Sequence, residues 1–197
     1  INMEQRIREV HPLPLFAPEG ARLLMLGSFP PPRERWRMDF FYPNFQNDMW
    51  RIFGLIFFGD KAHFLTNDGH AFREAELRHF LIERGIAIWD TAMEISRLRG
   101  NASDKFLEVL RPIDLRGTLA LLPACTSLAV TGQKALDTLL TLVTASSSPK
   151  TGEWVEARFD DRLLRLYRMP SSSRAYPLSV EKKAEKYARM FEEIGLK

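Results

Sequence analysis

Four stretches of the chain combine residue types that could do chemistry. GSFPPP (27–32) follows an apolar run. Gly27 lets the backbone approach another group closely, and the prolines fix φ and remove donors, so the stretch reads either as a rigid lip over a ligand or as a stiff connection. DFFYPNFQNDMW (39–50) mixes flat rings with carboxamides. A ring face can stack on a planar heterocycle such as a nucleobase for about 1–3 kcal/mol. A carboxamide can read the edge of such a base or hold a water. The alternative is packing: Phe40 and Phe41 turned inward and Trp50 in the core. MPSSSRAYP (169–177) sets hydroxyls and amides between prolines and adds Arg174, which suits a phosphate backbone or, equally, a turn capping the last helix. TGQKA (131–135) puts a glycine where a strand meets a helix whose N-terminus could face a phosphate; such turns are common and the signal is weak by itself.

These stretches need elements to hold them. A short helix is expected near 4–10, followed by the proline-punctuated HPLPLFAPEG. RLLMLGS (22–28) reads as a central strand, IAIWD (86–90) as a second buried one and TSLAVTG (126–132) as a third. NDMWRIFGLIFF (47–58) reads as a helix with Asn47 or Asp48 near its N-cap, and AFREAELRHFLIERG (71–85) as another with a glycine stop. NASDKFLEVLRPIDLRGTLALLP (101–123) suggests two short helices split at Pro112, and QKALDTLLTLV (133–143) one more. TASSSPKTGE (144–153) reads as a mobile Ser-rich loop. WVEARF and LLRLYRMP flank Asp160 and Asp161 as a hairpin or neighbouring strands. The closing SVEKKAEKYARMFEEIGL is an amphipathic helix on which Lys182, Lys183, Lys186 and Arg189 read as a solvated face. Strands alternating with helices imply an α/β fold with a mostly parallel sheet, in one domain spanning 1–197. Ligands of such folds bind at the C-terminal ends of the strands, and Gly27, Asp90, Gly132 and the 169–177 loop all fall there.

The totals narrow the classes. At 197 residues and 45% hydrophobic, the chain can bury one sizeable core. With 27% charged residues it reads as neither a disordered tail nor a membrane protein, and no apolar run reaches the roughly 18 residues of a membrane span. No charged-then-apolar leader opens the sequence. A single cysteine, Cys125, excludes an internal disulfide framework and a four-Cys zinc or iron–sulfur site. The four histidines show no metal-ligand spacing, so no metal and no cofactor are expected. A reducing cytoplasm is the expected compartment. Net charge of +3 and a pI near 9.1 permit a nucleic-acid partner without requiring one. No G-x-S-x-G elbow, P-loop or G-x-G-x-x-G occurs.

Taken together and in order, the stretches resemble the uracil-DNA glycosylase superfamily, most closely its hypoxanthine-DNA (deoxyinosine) glycosylase branch. The matching residues are Gly27, Ser28 and Pro30 at a strand end; Tyr42, Asn47 and Trp50 in the Tyr-x-x-x-x-Asn-x-x-Trp spacing; Trp89 and Asp90; Gly100, Asn101 and Asp104; Gly132, Lys134 and Ala135; and Pro170, Ser171 and Ser173. The resemblance spans about 22–177, and its specificity lies in the order of six motifs, none specific singly. It implies a three-layer α/β/α sandwich around a mostly parallel four-stranded central sheet. It also implies hydrolysis of the N-glycosidic bond of a flipped deaminated base, uracil or hypoxanthine, in DNA. By the same resemblance Gly27, Ser28, Phe29, Pro30 and Tyr42 bind the base, with Tyr42 stacking on it. Asn47 positions water or contacts the base. Met169, Pro170, Ser171, Ser172, Ser173 and Arg174 form the loop that presses on the DNA, with Met169 or a loop neighbour filling the gap. The implied partner is DNA containing a damaged base, bound by a monomer.

The sequence departs from that pattern in two places. Many relatives carry Asn or Asp two residues after the first-motif glycine, where this chain has Phe29, which cannot activate water; the hypoxanthine branch is apolar there too. Pro31 replaces a further glycine of that motif. Asp39 is therefore a second candidate for water activation, from its place in the loop, and Arg33, Arg35 and Arg37 are candidates to meet phosphates. A non-enzymatic nucleic-acid or nucleobase-binding module of the same fold, and an unrelated α/β hydrolase or transferase, are the competing classes.

Overall fold

The computed structural model describes residues 6–98 and 104–197, with the backbone alone at Lys105. Four strands run parallel: β2 (Leu23–Gly27), β3 (Ile86–Asp90), β6 (Ser127–Thr131) and β9 (Arg162–Met169), side by side in the order β3-β2-β6-β9. Every residue of β2 and β6 is buried, as expected for strands covered on both faces. The expected four-stranded parallel core is present, but the sheet has six strands. β8 (Trp154–Phe159) pairs antiparallel with β9, and β7 (Thr144–Ala145) with β8. The hairpin reading of 154–169 holds, and the start of the Ser-rich segment is a short edge strand.

Alternate residues of the parallel strands feed two different cores, as the two-residue period of a strand requires. Leu23, Met25, Ile86 and Ile88 join Trp50, Phe53, Phe80, Tyr187 and Phe191 on one face. That face is covered by α1 (Met49–Phe58), α2 (Glu74–Arg84) and α5 (Val180–Ile194). Leu24, Leu26, Ala87, Leu128 and Val130 join Leu115, Leu119, Leu136 and Leu139 on the other, beneath α3 (Leu115–Ala120) and α4 (Gln133–Leu140). The result is an α/β/α sandwich.

Two of the expected helices are strands. The segment near the N-terminus is β1 (Arg6–Val10), and 107–112 is β5 (Leu107–Pro112), both paired antiparallel with β4 (Ala92–Leu98) in a separate three-stranded sheet, β1-β4-β5. The apolar spacing in RIREV and LEVL is too short to separate a helical period from a strand period. β4 decides: its alternately buried face takes Ile95 into contact with Phe29, Ala92 and Leu107. The Gly100 and Asn101 part of the motif set lies outside the described residues.

Lys183 overturns the expected solvated face of the last helix. It is fully buried, and its Nζ donates to the Ser173 carbonyl at 2.9 Å and reaches Asp48 Oδ2 at 3.4 Å. An ammonium is desolvated at such a site only where acceptors replace its water. Replacing it by Met, of similar length, would strand the Asp48 carboxylate with one fewer counter-charge in the interior. Lys183→Met is expected to lose about 3 kcal/mol of stability, read as a lower denaturant midpoint at unchanged slope. Lys182→Met, one residue away on the exposed side, is expected to change little.

Candidate active site

The parallel strands end together. Gly27 stands opposite Asp90 in the ladder, and Leu26 opposite Val130, which precedes Thr131. Beyond these ends opens a cleft of about 620 Å³. Its floor comes from Gly27, Asp90 and Thr131. Its walls come from the segment between β2 and α1 on one side and residues 171–177 on the other.

Gly27 is required by space. A Cβ there would lie 2.7 Å from Asp90 Oδ1 and 3.1 Å from the Tyr42 hydroxyl, so the bare backbone lets a carboxylate and a phenol converge above the sheet. Tyr42 itself sits at φ 50°, a left-handed conformation that costs a non-glycine residue about 1–2 kcal/mol. Its ring meets Trp50 edge-on at 5.8 Å, and its hydroxyl shares a 3.0 Å hydrogen bond with Thr131 Oγ1. Burial, then the negative charge of Asp90, holds the phenol well above the usual tyrosine range despite the Thr131 bond.

Asn47 accepts a hydrogen bond from the Met49 N–H at Oδ1, 2.9 Å. This side chain serves the first turn of α1, where Asp48 at the cap position makes no side-chain cap bond. With Oδ1 so engaged, the amide nitrogen is the part of the lining Asn47 side chain left to offer a donor to the cleft. Asp48 is committed elsewhere: its carboxylate accepts from Arg174 Nε at 3.1 Å, lies 3.6 Å from Arg51 and faces Lys183. Backbone bonds reinforce this junction, Asp48 N–H to the Ser172 carbonyl at 2.8 Å and Arg174 N–H to the Gln46 carbonyl at 2.9 Å. Both walls of the cleft are thus one hydrogen-bonded unit.

Within residues 171–177 the hydroxyls face their own backbone: Ser171 Oγ accepts from Ser173 N–H, and Ser173 Oγ from Ala175 N–H, each at 3.2 Å. Both hydroxyl protons stay available to an acceptor. Gly132, at φ 102°, brings the start of α4 against Ser171, where a Cβ would be 3.6 Å from the serine Cβ.

Of the residues singled out from sequence, the cleft gathers Gly27, Ser28, Phe29, Pro30, Tyr42, Asn47, Ser171, Ser172, Ser173 and Arg174. Phe41 and Arg35 line it too. Five candidates are not in its lining: Met169, Pro170, Asp39, Arg33 and Arg37. Met169 is 1% exposed and belongs to the core at the end of β9, so it cannot reach a ligand. Pro170 is buried behind the loop and offers its carbonyl to the Tyr187 hydroxyl at 2.8 Å. Asp39 is exposed on the outer side of its loop and paired with Arg33 at 2.7 Å, with 74% of its side chain open to solvent. Arg33 also covers Trp36 at 4.2 Å. Phe40 packs in the core.

Two groups had no site role assigned from the sequence: Asp104, named only as a motif match, and His11. Asp104 meets the Ser28 hydroxyl, which donates to its Oδ1 at 2.7 Å. The residue keeps an exposed edge at the cleft mouth, yet protein atoms crowding the carboxyl, and the Asp90 charge beyond, raise its pKa against that hydrogen bond. His11 lies beside Asp90, Nε2 to Oδ2 at 2.7 Å, with side chains 3% and 8% exposed. Its contact depends on β1 pairing with β4, which returns from β3, and no spacing in the sequence signals it. Among the described residues, no group of three or more His, Cys, Asp or Glu side chains is placed to hold a metal ion.

No family model matches the chain, and no curated protein matches it. Its structure is similar to the solution NMR structure of a "putative Uracil DNA glycosylase" from Methanosarcina acetivorans, with a TM-score of 0.64 and 19% identity over 96% of this chain and 99% of that one. At that identity the likeness shows a shared fold across both full lengths.

Two outcomes follow from this geometry. Gly27→Ala must push Asp90 or Tyr42 aside and is expected to lower stability by about 1–3 kcal/mol, measurable as a drop in Tm. For Tyr42 the sign is that of an acid whose folded pKa is raised. Stability is full below the ordinary tyrosine pKa of about 10 and falls as pH climbs above it toward the folded value, because the unfolded chain releases a proton the folded chain keeps. Tyr42→Phe is expected to make that alkaline fall shallower in denaturation midpoints taken between pH about 8 and about 11.

Proposed function

We propose that the protein is a monofunctional DNA glycosylase of the uracil-DNA glycosylase superfamily, acting on a deaminated base, uracil or hypoxanthine, flipped out of DNA. One observation carries the reading: motifs scattered from Gly27 to Ser173 in the family's order converge on one cleft at the strand ends, in a fold shared with the Methanosarcina protein.

The chemistry available fits the reaction. Phe41, Phe29 and the Tyr42 ring offer flat apolar surface to a base, and stacking of this kind is worth about 1–3 kcal/mol per base. The Asn47 amide can donate to a carbonyl of the base, where negative charge collects as the glycosidic bond breaks. The Ser171 and Ser173 hydroxyls suit phosphate oxygens. Arg35 and Arg174 are exposed in the cleft lining, and each phosphate neutralised steepens the salt dependence of binding. Tyr176, 36% exposed in the cleft lining, is the loop neighbour large enough to fill the gap a flipped base leaves, the role that buried Met169 cannot take. Flipping costs a few kcal/mol and least at a mispaired base, which favours lesions over normal pairs.

Phe29 favours a second reading, a module that binds a base without cleaving it, because the first-motif position that would hold water carries a ring packed against Ala92, Ile95 and Leu107. Labelled duplexes carrying uracil or hypoxanthine opposite each normal base, with matching single strands, separate the two after alkaline cleavage. A glycosylase yields strand breaks at the lesion, and Asn47→Ala is expected to lower the rate by about 10²-fold or more. Salt-sensitive binding with no breaks on any lesion would leave the binding module.

A further inference from the structure

A glycosylase reading leaves one role unfilled: Phe29 cannot polarise water, and Asp39 faces outward. The cleft contains a carboxylate suited to it. Asp90 is 6% exposed and sits at the end of β3, over Gly27, in the lining. Its two oxygens are divided. Oδ2 meets His11 Nε2 at 2.7 Å. Oδ1 points over Gly27, 2.7 Å from where a Cβ would stand, and no donor among the described residues is in hydrogen-bonding geometry with it. Buried side-chain N or O atoms lacking a partner are absent among the described residues, so Oδ1 is open to solvent within the cleft.

The imidazole is fixed from every side. Nδ1 lies 2.9 Å from the Leu13 carbonyl and 3.2 Å from the Leu13 N–H. The ring packs edge-on against Phe29 at 5.3 Å and tilted against Phe41 and Trp89. As an imidazolium it donates from Nδ1 to the Leu13 carbonyl; as the neutral Nε2–H tautomer it accepts from the Leu13 N–H. In both forms Nε2–H donates to Asp90. Among the described residues, the Tyr42 phenol and the Asp104 carboxyl also respond to the Asp90 charge.

We infer that Asp90 is the water-orienting carboxylate of the cleft and that His11 is its positioning residue. This rests on the glycosylase reading. The C1′–N bond breaks with its electron pair leaving on the base. Oδ1 faces the positive charge that develops on the sugar and accepts the proton of the attacking water as the C1′–O bond forms. The departing base takes its proton from solvent. His11 holds the carboxylate rotamer through Oδ2 and so leaves Oδ1 to the water.

The test uses single-turnover base release from the lesion duplex that wild type cleaves fastest, together with binding to two uncleavable duplexes, one with a cationic pyrrolidine abasic analogue and one with a neutral tetrahydrofuran analogue. Asp90→Asn is expected to slow base release by about 10²–10⁴-fold with the Kd for the neutral duplex unchanged, and to erase a wild-type preference for the cationic duplex. His11→Phe keeps the ring packing but donates nothing and is expected to slow release without weakening binding. His11→Gln, whose amide can donate to Oδ2, is expected to recover part of the rate. Wild-type release with Asp90→Asn equally fast would overturn the Asp90 assignment and leave the glycosylase reading standing. If Asp90→Asn fails to fold, equal rates for His11→Phe and His11→Gln would overturn the dyad. No release by wild type from any lesion, with no preference for the cationic duplex, would overturn both.

Discussion

The buried carboxylate of Asp48 is the constraint on which the cleft depends. It stands where the long segment after β2 turns into α1, and it is faced by Lys183 of α5, Arg174 of the 170–177 loop and Arg51 of α1. A charge taken out of water is tolerated only when opposite charges and donors replace its hydration. Here those replacements come from three separate parts of the chain, so satisfying one carboxylate forces the parts together. Two walls more than a hundred residues apart in sequence become a single surface, further joined by backbone bonds between Gln46, Asp48, Ser172 and Arg174.

The floor obeys a steric rule of a different kind. Four parallel strands with burial on both faces must end in register, and what can stand above their ends is set by the side chains there. Gly27 contributes none, and the space goes to Asp90 and Tyr42. The left-handed backbone at Tyr42 is the local cost of turning that ring back toward the sheet. It is sustained by packing against Trp50 and the bond to Thr131. Strain of this sort persists where the surroundings over-determine it, as the aromatic core under α1 does here.

The small sheet of β1, β4 and β5 supplies what the main sheet lacks. Its Ala92, Ile95 and Leu107 pack against Phe29 as a minor core, and by continuing β3 directly into β4 it brings the strand β1, and with it His11, alongside Asp90. The acidic end of β3 therefore has a polar partner inside an otherwise aromatic surround. An unpaired carboxylate there would be costly to desolvate.

Periodicity and punctuation made the sandwich legible in the sequence. Short apolar runs that break off at a turn residue mark central strands, and the longer amphipathic segments such as 74–84 and 180–194 mark covering helices; both are local properties. The ordered motifs Gly27-Ser28, Tyr42–Asn47, Asp90 and Ser171–Ser173 were legible for the same reason, since each sits at a strand end or loop that its own neighbours define. What local pattern could not carry was anything set by a distant partner. RIREV and LEVLRP became strands because β4 offered them edges. Lys183 went inside because Asp48 was there to receive it, while Lys182 beside it stayed in water. Asp39 turned outward because Arg33 and the helix α2 hold its loop from that side. The pairing of His11 with Asp90, 79 residues apart, has no trace in spacing at all. The sequence by itself determined the strands of the parallel core and which residues stand at their ends; only the tertiary structure decided the small second sheet and which residues meet, because edge pairing, burial and charge pairing are satisfied between elements and not within them.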